Sequence, residues 1–201
     1  MHYKTGTDMS LFNTHRREIR APASDVGQLI DTLAGPDDRL WPRTNWYPMA
    51  FDRGGLEVGG SGGHGPVGYR VRAVEPGRSV TFEFTGRPKG LRGHHQYLVQ
   101  PLDDDRCVLW HLADIEAGWP LKLTWPLFWG PLHDALIEDS LSNAQNAVEL
   151  GKQARSPWNL WVRVLRAAVR TRIRRAPKSS FRDGSPTSRS SDPIGRHEGL
   201  I

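Results

Sequence analysis

Four of the eight histidines in this 201-residue chain stand in segments able to point a ring at a buried site: His94, His95, His111 and His133. Histidine is the side chain that gives or takes a proton near neutral pH, so these four are the candidates for general acid or base work, or for holding a polar group of a ligand. His94 and His95 are neighbours in a β-patterned run, so they face opposite sides and only one can enter a given site. His95 shares its side with Tyr97 and is the better candidate. His133 falls on the apolar stripe of a helical run, which turns it inward. Asp134 and Glu138 are four apart in that run but lie off the His133 stripe, and no two histidines show ligand spacing on one element. No metal and no cofactor are expected. Cys107 is the single cysteine and has no activating neighbour in sequence, which makes it an inert, buried thiol rather than a nucleophile.

The stretch GGSGGHGP, residues 59–66, contains the G-x-G-x-x-G spacing of dinucleotide-binding loops. That chemistry needs a helix after the glycines, whose N-terminus holds the pyrophosphate. Here Pro66 and a β-patterned run follow. The glycines therefore read as a tight inter-strand turn, with His64 exposed on it.

The elements that position these residues follow from the periodicity. Residues 12–20 form a first strand. Pro22 opens a helix whose face is Val26, Leu29, Ile30 and Leu33, ended by Gly35-Pro36. DDRLWP, residues 37–42, is a short helix or turn. Alternation returns at 67–74 and 79–85, separated by Pro76-Gly77, then at 91–100 and 106–117 around Asp103-Asp104-Asp105. Short connections make this an antiparallel meander. Pro126 and Pro131 punctuate the entry to a long helix that carries His133, Ile137, Ser140, Leu141 and Ala144 on one face and stops at Gly151. The order is α+β: strand, short helices, a run of strands, one long helix that must cover the apolar side of the sheet.

REIRAPASDVGQLIDTL, DDRLWP, GPVGYRVRAVEPGRSVTFEF and PLHDALIEDSLSNAQNAVELG, in this order, resemble the START-like, or SRPBCC, superfamily, which includes polyketide cyclases and lipid carriers. The resemblance covers a domain at 10–151. It implies a helix-grip fold, a curved antiparallel sheet wrapped around a long C-terminal helix, with a deep pocket between the two that takes hydrophobic molecules. The superfamily has no universal catalytic motif, so no catalytic residue is carried over. The residues support a pocket independently. Tyr69, Phe82, Phe84, His95 and Tyr97 fall on one side of successive strands, and Trp129 and His133 stand at the start of the long helix. Apolar walls with a few polar points suit a hydrophobic small molecule. The reading is a binder or carrier of a lipid-like or aromatic compound. The alternatives are a cyclase/aromatase-type enzyme in which His95, Tyr97 or His133 moves protons, and an interaction scaffold whose own aromatics fill the pocket.

The net charge of +5 conceals an asymmetry. Residues 152–201 carry twelve Lys/Arg against three Asp/Glu, while residues 1–151 carry fifteen against nineteen. The domain thus has no nucleic-acid-binding charge, and nucleic acid is not an expected partner. The basic segment, 156–175, reads as an amphipathic helix. Trp158, Trp161, Val162, Leu165, Val169 and Ile173 make one face; Arg163, Arg166, Arg170 and Arg174 make the other. Such a helix suits the surface of an anionic membrane through residues 157–175, a partner protein, or the domain itself. Residues 176–201 are polar and expected to be disordered. No run approaches the length of a membrane span, and the lack of an apolar leader and the single cysteine lead to an expected cytoplasmic location, peripheral to the inner membrane face where the basic helix docks.

Overall fold

The computed structural model describes residues 10–149, 151 and 153–175, with the backbone course alone for 169–175. The expected disorder of 176–201 lies outside the described residues. Seven antiparallel strands form one sheet in the order β1-β7-β6-β5-β4-β3-β2. They are β1 (Ser10–Ile19), β2 (Met49–Phe51), β3 (Ser61–His64), β4 (Val67–Glu75), β5 (Ser79–Phe84), β6 (Leu91–Asp103) and β7 (Arg106–Ala117). Helix α1 (Ala23–Asp31) and a loop join β1 to β2, and the meander runs on from there. β1 returns to the far edge and pairs with the end of the meander, from Ser10 opposite Glu116 to Ile19 opposite Cys107.

Strict alternation in β6 buries His95, Tyr97 and Val99 on one face, level with Val80 and Phe82 of β5. Against this face lies helix α3 (Gly130–Val148), which buries Leu136, Ile137, Ser140, Leu141 and Ala144. The prolines do not break the approach to it. Helix α2 (Trp119–Thr124) passes into a π-helical turn, Trp125–Trp129, and then into α3, because Pro126 and Pro131 both fall in first-turn positions where no N–H is missed. This is the helix-grip fold: a curved sheet around a helical segment that runs from residue 119 to 148.

Two strands escape the sequence reading. β2 and β3 have three and four residues, and β3 is Ser61-Gly62-Gly63-His64, with no apolar alternation. The glycines permit the pairing. A Cβ on Gly62 would lie 2.0 Å from the Ala50 carbonyl oxygen, and one on Gly63 2.0 Å from that of Val67. The glycine-rich stretch thus serves the close approach of two strands. The DDRLWP segment is a turn held by Asp38, whose carboxylate accepts from the backbone N–H of Ala34, Leu40 and Trp41.

Helix α3 is fastened to β1 by a polar rail. Asn13 Nδ2 donates to Asp134, His15 meets both Asp134 and Glu138, and Arg17 donates to Glu138, Ser142 and Gln145. At its end Glu149 accepts the backbone N–H of Arg20.

The basic helix, α4 (Leu160–Arg175), begins two residues later than its first tryptophan, with Asn159 Oδ1 accepting the N–H of Val162 as a cap. It packs on the body through Val162 and Leu165. Arg166 corrects the sequence reading. Expected on the solvent face with Arg163, it is buried, its guanidinium 3.5 Å above the Trp158 ring and 4.8 Å from that of Trp46, and it donates to the Asn45 carbonyl. Both indole N–H groups donate to Asp139 of α3. Trp161, expected on the packed face, is 48% exposed. The side chains of Val169, Arg170, Ile173 and Arg174 lie outside the described residues. Among the described residues no helix is long and apolar enough to cross a membrane.

Candidate functional site

A cavity of about 1170 Å³ lies between the sheet and the helical segment. The strands contribute Tyr69, Phe84, Leu91, His95, His111 and Ile115, and the helices contribute Trp125, Trp129, His133 and Ile137. Of the residues singled out in the sequence, Tyr69, Phe84, His95, Trp129 and His133 meet in this wall. Phe82 and Tyr97 do not line it. Phe82 is fully buried behind the wall, stacked on Phe51 at 5.6 Å, and the Tyr97 hydroxyl is engaged with Ser140 Oγ at 2.9 Å. Both support the site rather than face it. Trp158 does not line it either, but Arg166 does, from α4.

The polar points of the wall are histidines. His95 lies against Tyr69, Phe82 and Phe84, with ring centroids 4.6, 5.0 and 5.1 Å away. Its Nδ1 is 3.2 Å from Nε2 of His111, the residue that follows Trp110 in β7. His95 Nε2 and His111 Nδ1 are buried and have no hydrogen-bond partner among the described residues. His64, expected exposed, instead lies between Trp41 and Tyr69 at 5.0 and 5.4 Å. Burial pushes the His64 imidazole down to about 3, with the nearby His133 ring adding to the effect. Burial also holds His95 and His111 well below the ordinary histidine range, with neighbouring histidines adding to the effect. All three rings are neutral at pH 7.

Neutrality fixes what the His95–His111 pair can offer. One ring nitrogen must donate to the other across the 3.2 Å contact. If His95 Nδ1 carries that proton, His95 Nε2 is an acceptor and His111 Nδ1 a donor; if His111 Nε2 carries it, the roles reverse. In either state the pair holds one free donor and one free acceptor, and a concerted shift exchanges them without creating charge. Cys107 is remote from this chemistry: it is buried, and burial raises its thiol to about 11.

His64 escaped the sequence reading as a cavity residue, and His111, a candidate on its own there, was not joined to His95. His64 sat in a loop pattern, and His111 contacts His95 only through the pairing of Tyr97 with His111 across β6 and β7. His15 was missed altogether, because its partners are more than 115 residues away.

This architecture defines a helix-grip protein. No protein-family model and no curated protein matches the chain. Solved structures do. A solution structure from Thermobifida fusca is 12% identical over 73% of this chain and 99% of that one, with a TM-score of 0.54. Truncated norcoclaurine synthase from Thalictrum flavum is 20% identical over 69% of this chain and 95% of its own, with a TM-score of 0.51. A protein from Nitrosospira multiformis is 12% identical over 71% and 97%, with a TM-score of 0.52. The likeness is one of fold, and it agrees with the superfamily resemblance at that level.

Proposed function

We propose that this chain binds a hydrophobic, aromatic small molecule between its sheet and its long helix. The observation that carries this reading is the cavity wall itself. Bulky aromatics surround a pair of neutral histidines that present one unfilled donor and one unfilled acceptor, the pattern of apolar walls with a few placed polar groups that ligand sites have. Leaving such atoms unpaired is costly in a buried site, so a hydroxyl or carbonyl on the ligand would gain by filling them. A fold neighbour lends support. Norcoclaurine synthase from Thalictrum flavum has been solved in complex with dopamine and hydroxybenzaldehyde, both small aromatics; it is 19% identical over 66% of this chain and 84% of that one, with a TM-score of 0.50.

An enzymatic reading of the cyclase/aromatase type uses the same residues. A histidine pair that exchanges donor and acceptor without net charge would take a proton at one end and return it at the other, as an enolisation requires. His95 is the residue to test, with Tyr97 now a supporting group.

Docking at an anionic membrane surface is the third part of the reading. Trp119, Leu123 and Leu127 are 76, 68 and 66% exposed, and Leu160, Trp161 and Val164 are 77, 48 and 50% exposed. Trp161 Nε1 donates to the Leu127 carbonyl, so the two segments meet beside the cavity lined by Trp125 and Trp129. Exposed apolar residues flanked by Arg163 on α4 suit an interfacial surface.

The first experiment is native mass spectrometry of the purified full chain, followed by solvent extraction. A discrete co-purified aromatic or lipid-like compound, lost on His95→Gln or on blocking the cavity with Ile115→Trp, supports the reading. A bound compound that survives both changes would place the ligand elsewhere and sink it.

A further inference from the structure

Beside the cavity, and independent of what fills it, the polar rail contains a cluster whose geometry points to a second site: a divalent transition-metal site of the zinc class formed by His15 of β1 with His133 and Asp134 of α3. His15 Nε2 is 3.2 Å from Asp134 Oδ1, and His133 Nδ1 is 3.8 Å from the same oxygen. One ligand atom from each residue lies within 4.8 Å of the others. An ion bonded to nitrogen and oxygen at about 2.0–2.2 Å sets its donors roughly 3–3.5 Å apart, so the His15–Asp134 contact already has the required separation and His133 needs only a small ring movement.

Three further features favour an ion over a structural ion pair. His133 Nδ1 is buried and has no hydrogen-bond partner among the described residues, although the carboxylate beside it would accept one. Its ring is thus aimed at the cluster and meets it only through the long 3.8 Å contact with Asp134. His15 has the arrangement typical of a metal-bound histidine, since its other nitrogen, Nδ1, meets Glu138 Oε1 at 2.8 Å. Glu138 in turn is fixed by Arg17, 2.8 Å from its other oxygen. A carboxylate that accepts the Nδ1–H hydrogen bond keeps the proton on Nδ1 and leaves Nε2 as the metal-binding lone pair, so the ion replaces only the proton on Nε2, which passes to solvent. Two imidazoles and one carboxylate suit zinc, cobalt, iron or nickel and leave coordination positions open. Because His133 also lines the cavity, the ion would sit at the cavity wall.

No single element carries this set. His133 and Asp134 are adjacent on one helix, and His15 arrives from the edge strand, which is why spacing along the sequence led to the expectation of no metal.

The test is a titration of the full, chelator-treated chain with Zn²⁺ by calorimetry, repeated with Co²⁺ while recording its visible absorption. One ion per chain is expected, with a Co²⁺ spectrum of low-coordinate nitrogen and oxygen ligation. His15→Ala and His133→Ala should each weaken binding at least ~100-fold. Glu138→Gln, which removes only the group that orients His15, should weaken it roughly 10–100-fold while keeping the same spectrum shape. His94→Ala, on the opposite side of β6 from His95, should change nothing. Circular dichroism of every variant without metal checks that it folds. Folded wild-type protein that binds neither ion overturns the site, as does binding of equal strength in the wild type and in folded His15→Ala and His133→Ala.

Discussion

Two walls of this molecule press histidines toward the same long helix and treat them in opposite ways. On the β1 side, His15 sits in a half-open rail between the carboxylates of Asp134 and Glu138; burial lowers its affinity for a proton, but these partners outweigh the burial and raise it. On the β3–β7 side, His64, His95 and His111 lie among aromatic rings with no carboxylate partner among the described residues, and burial makes them neutral. The difference lies in the partners and not in the depth alone. A ring with acidic neighbours becomes a fastening, or a ligand once its proton is exchanged for an ion. A ring among apolar neighbours keeps an unfilled donor or acceptor and becomes a binding group.

The largest effect that would sharpen this contrast concerns what the dry wall is built on. Phe82 is fully buried behind His95, between Phe51 and Tyr69. Phe82→Ala should cost roughly 3–5 kcal/mol in urea unfolding, the usual range for a large core aromatic. Phe84, which faces the cavity, should cost less when changed to Ala and should alter what the cavity retains. Equal stability losses would mean that the cavity face of Phe84 is closed by packing.

The second effect separates the two kinds of histidine by pH. A buried ring with a depressed value is neutral in the folded chain but protonates near 6.5 once unfolded, so the unfolded state takes up more protons as pH falls. The stability that His64, His95 and His111 contribute is present above about 6.5 and is lost below it, for His64 down to about 3. Three such protons give a slope of about 4 kcal/mol per pH unit near pH 5, and His64→Gln should reduce it by about a third. His15 has the opposite sign. Its raised value gives stability that is complete below about 6.5 and fades as pH rises through the folded value. In chelator-treated protein, His15→Gln should therefore flatten the alkaline fall of the curve and lower the acid side by a constant amount without changing its slope. Unfolding followed by fluorescence from pH 5 to 9 reads both. A His64→Gln curve that differs from wild type above pH 7 instead of below 6 would show that burial does not control that ring.

The same contrast explains what the sequence could disclose. Period-two alternation turns Tyr69, His95 and Val99 inward because each strand has one dry face, and that rule needs no knowledge of the partner strand. Helical spacing likewise places Val26, Leu29 and Ile30 of α1 in the core. β3 was invisible because glycines chosen for close strand approach leave no apolar pattern, and β2 because its three residues, Met49-Ala50-Phe51, are too few to show an alternation. The rail was hidden for another reason: Asn13, His15 and Arg17 alternate correctly for a strand face, but their polar character has meaning only beside α3, more than a hundred residues on. Phe82 and Tyr97 were assigned to the right face and the wrong depth, since alternation does not tell a cavity wall from the layer behind it. Arg166 failed through weighing charge above geometry. It stands four residues after Val162, on the packed stripe, and the aromatic rings of Trp46 and Trp158 with the carboxylate of Asp139 make that position suitable for a cation.

The smallest effect compares the two arginines of α4 that the sequence treats alike. Arg166 is clamped between two indoles, and a desolvated cation–π contact is worth about 2 kcal/mol. Arg166→Ala should thus lower stability by roughly that amount and shift tryptophan emission, because the Trp46 and Trp158 rings lose their cover while Asp139 keeps only their N–H groups. Arg163 is exposed, and Arg163→Ala should change stability by less than about 0.5 kcal/mol. Its cost should instead fall on the membrane reading, since one arginine near an anionic leaflet contributes about 1 kcal/mol, close to a fivefold loss in partitioning. Sedimentation with phosphatidylserine-containing vesicles measures that loss, with Trp161→Ala as the apolar counterpart. If Arg166→Ala weakened vesicle binding and Arg163→Ala did not, α4 would have to leave the body before touching lipid. If neither variant nor Trp161→Ala changed sedimentation, the membrane reading of α4 and of the apolar patch around Leu127 would fall.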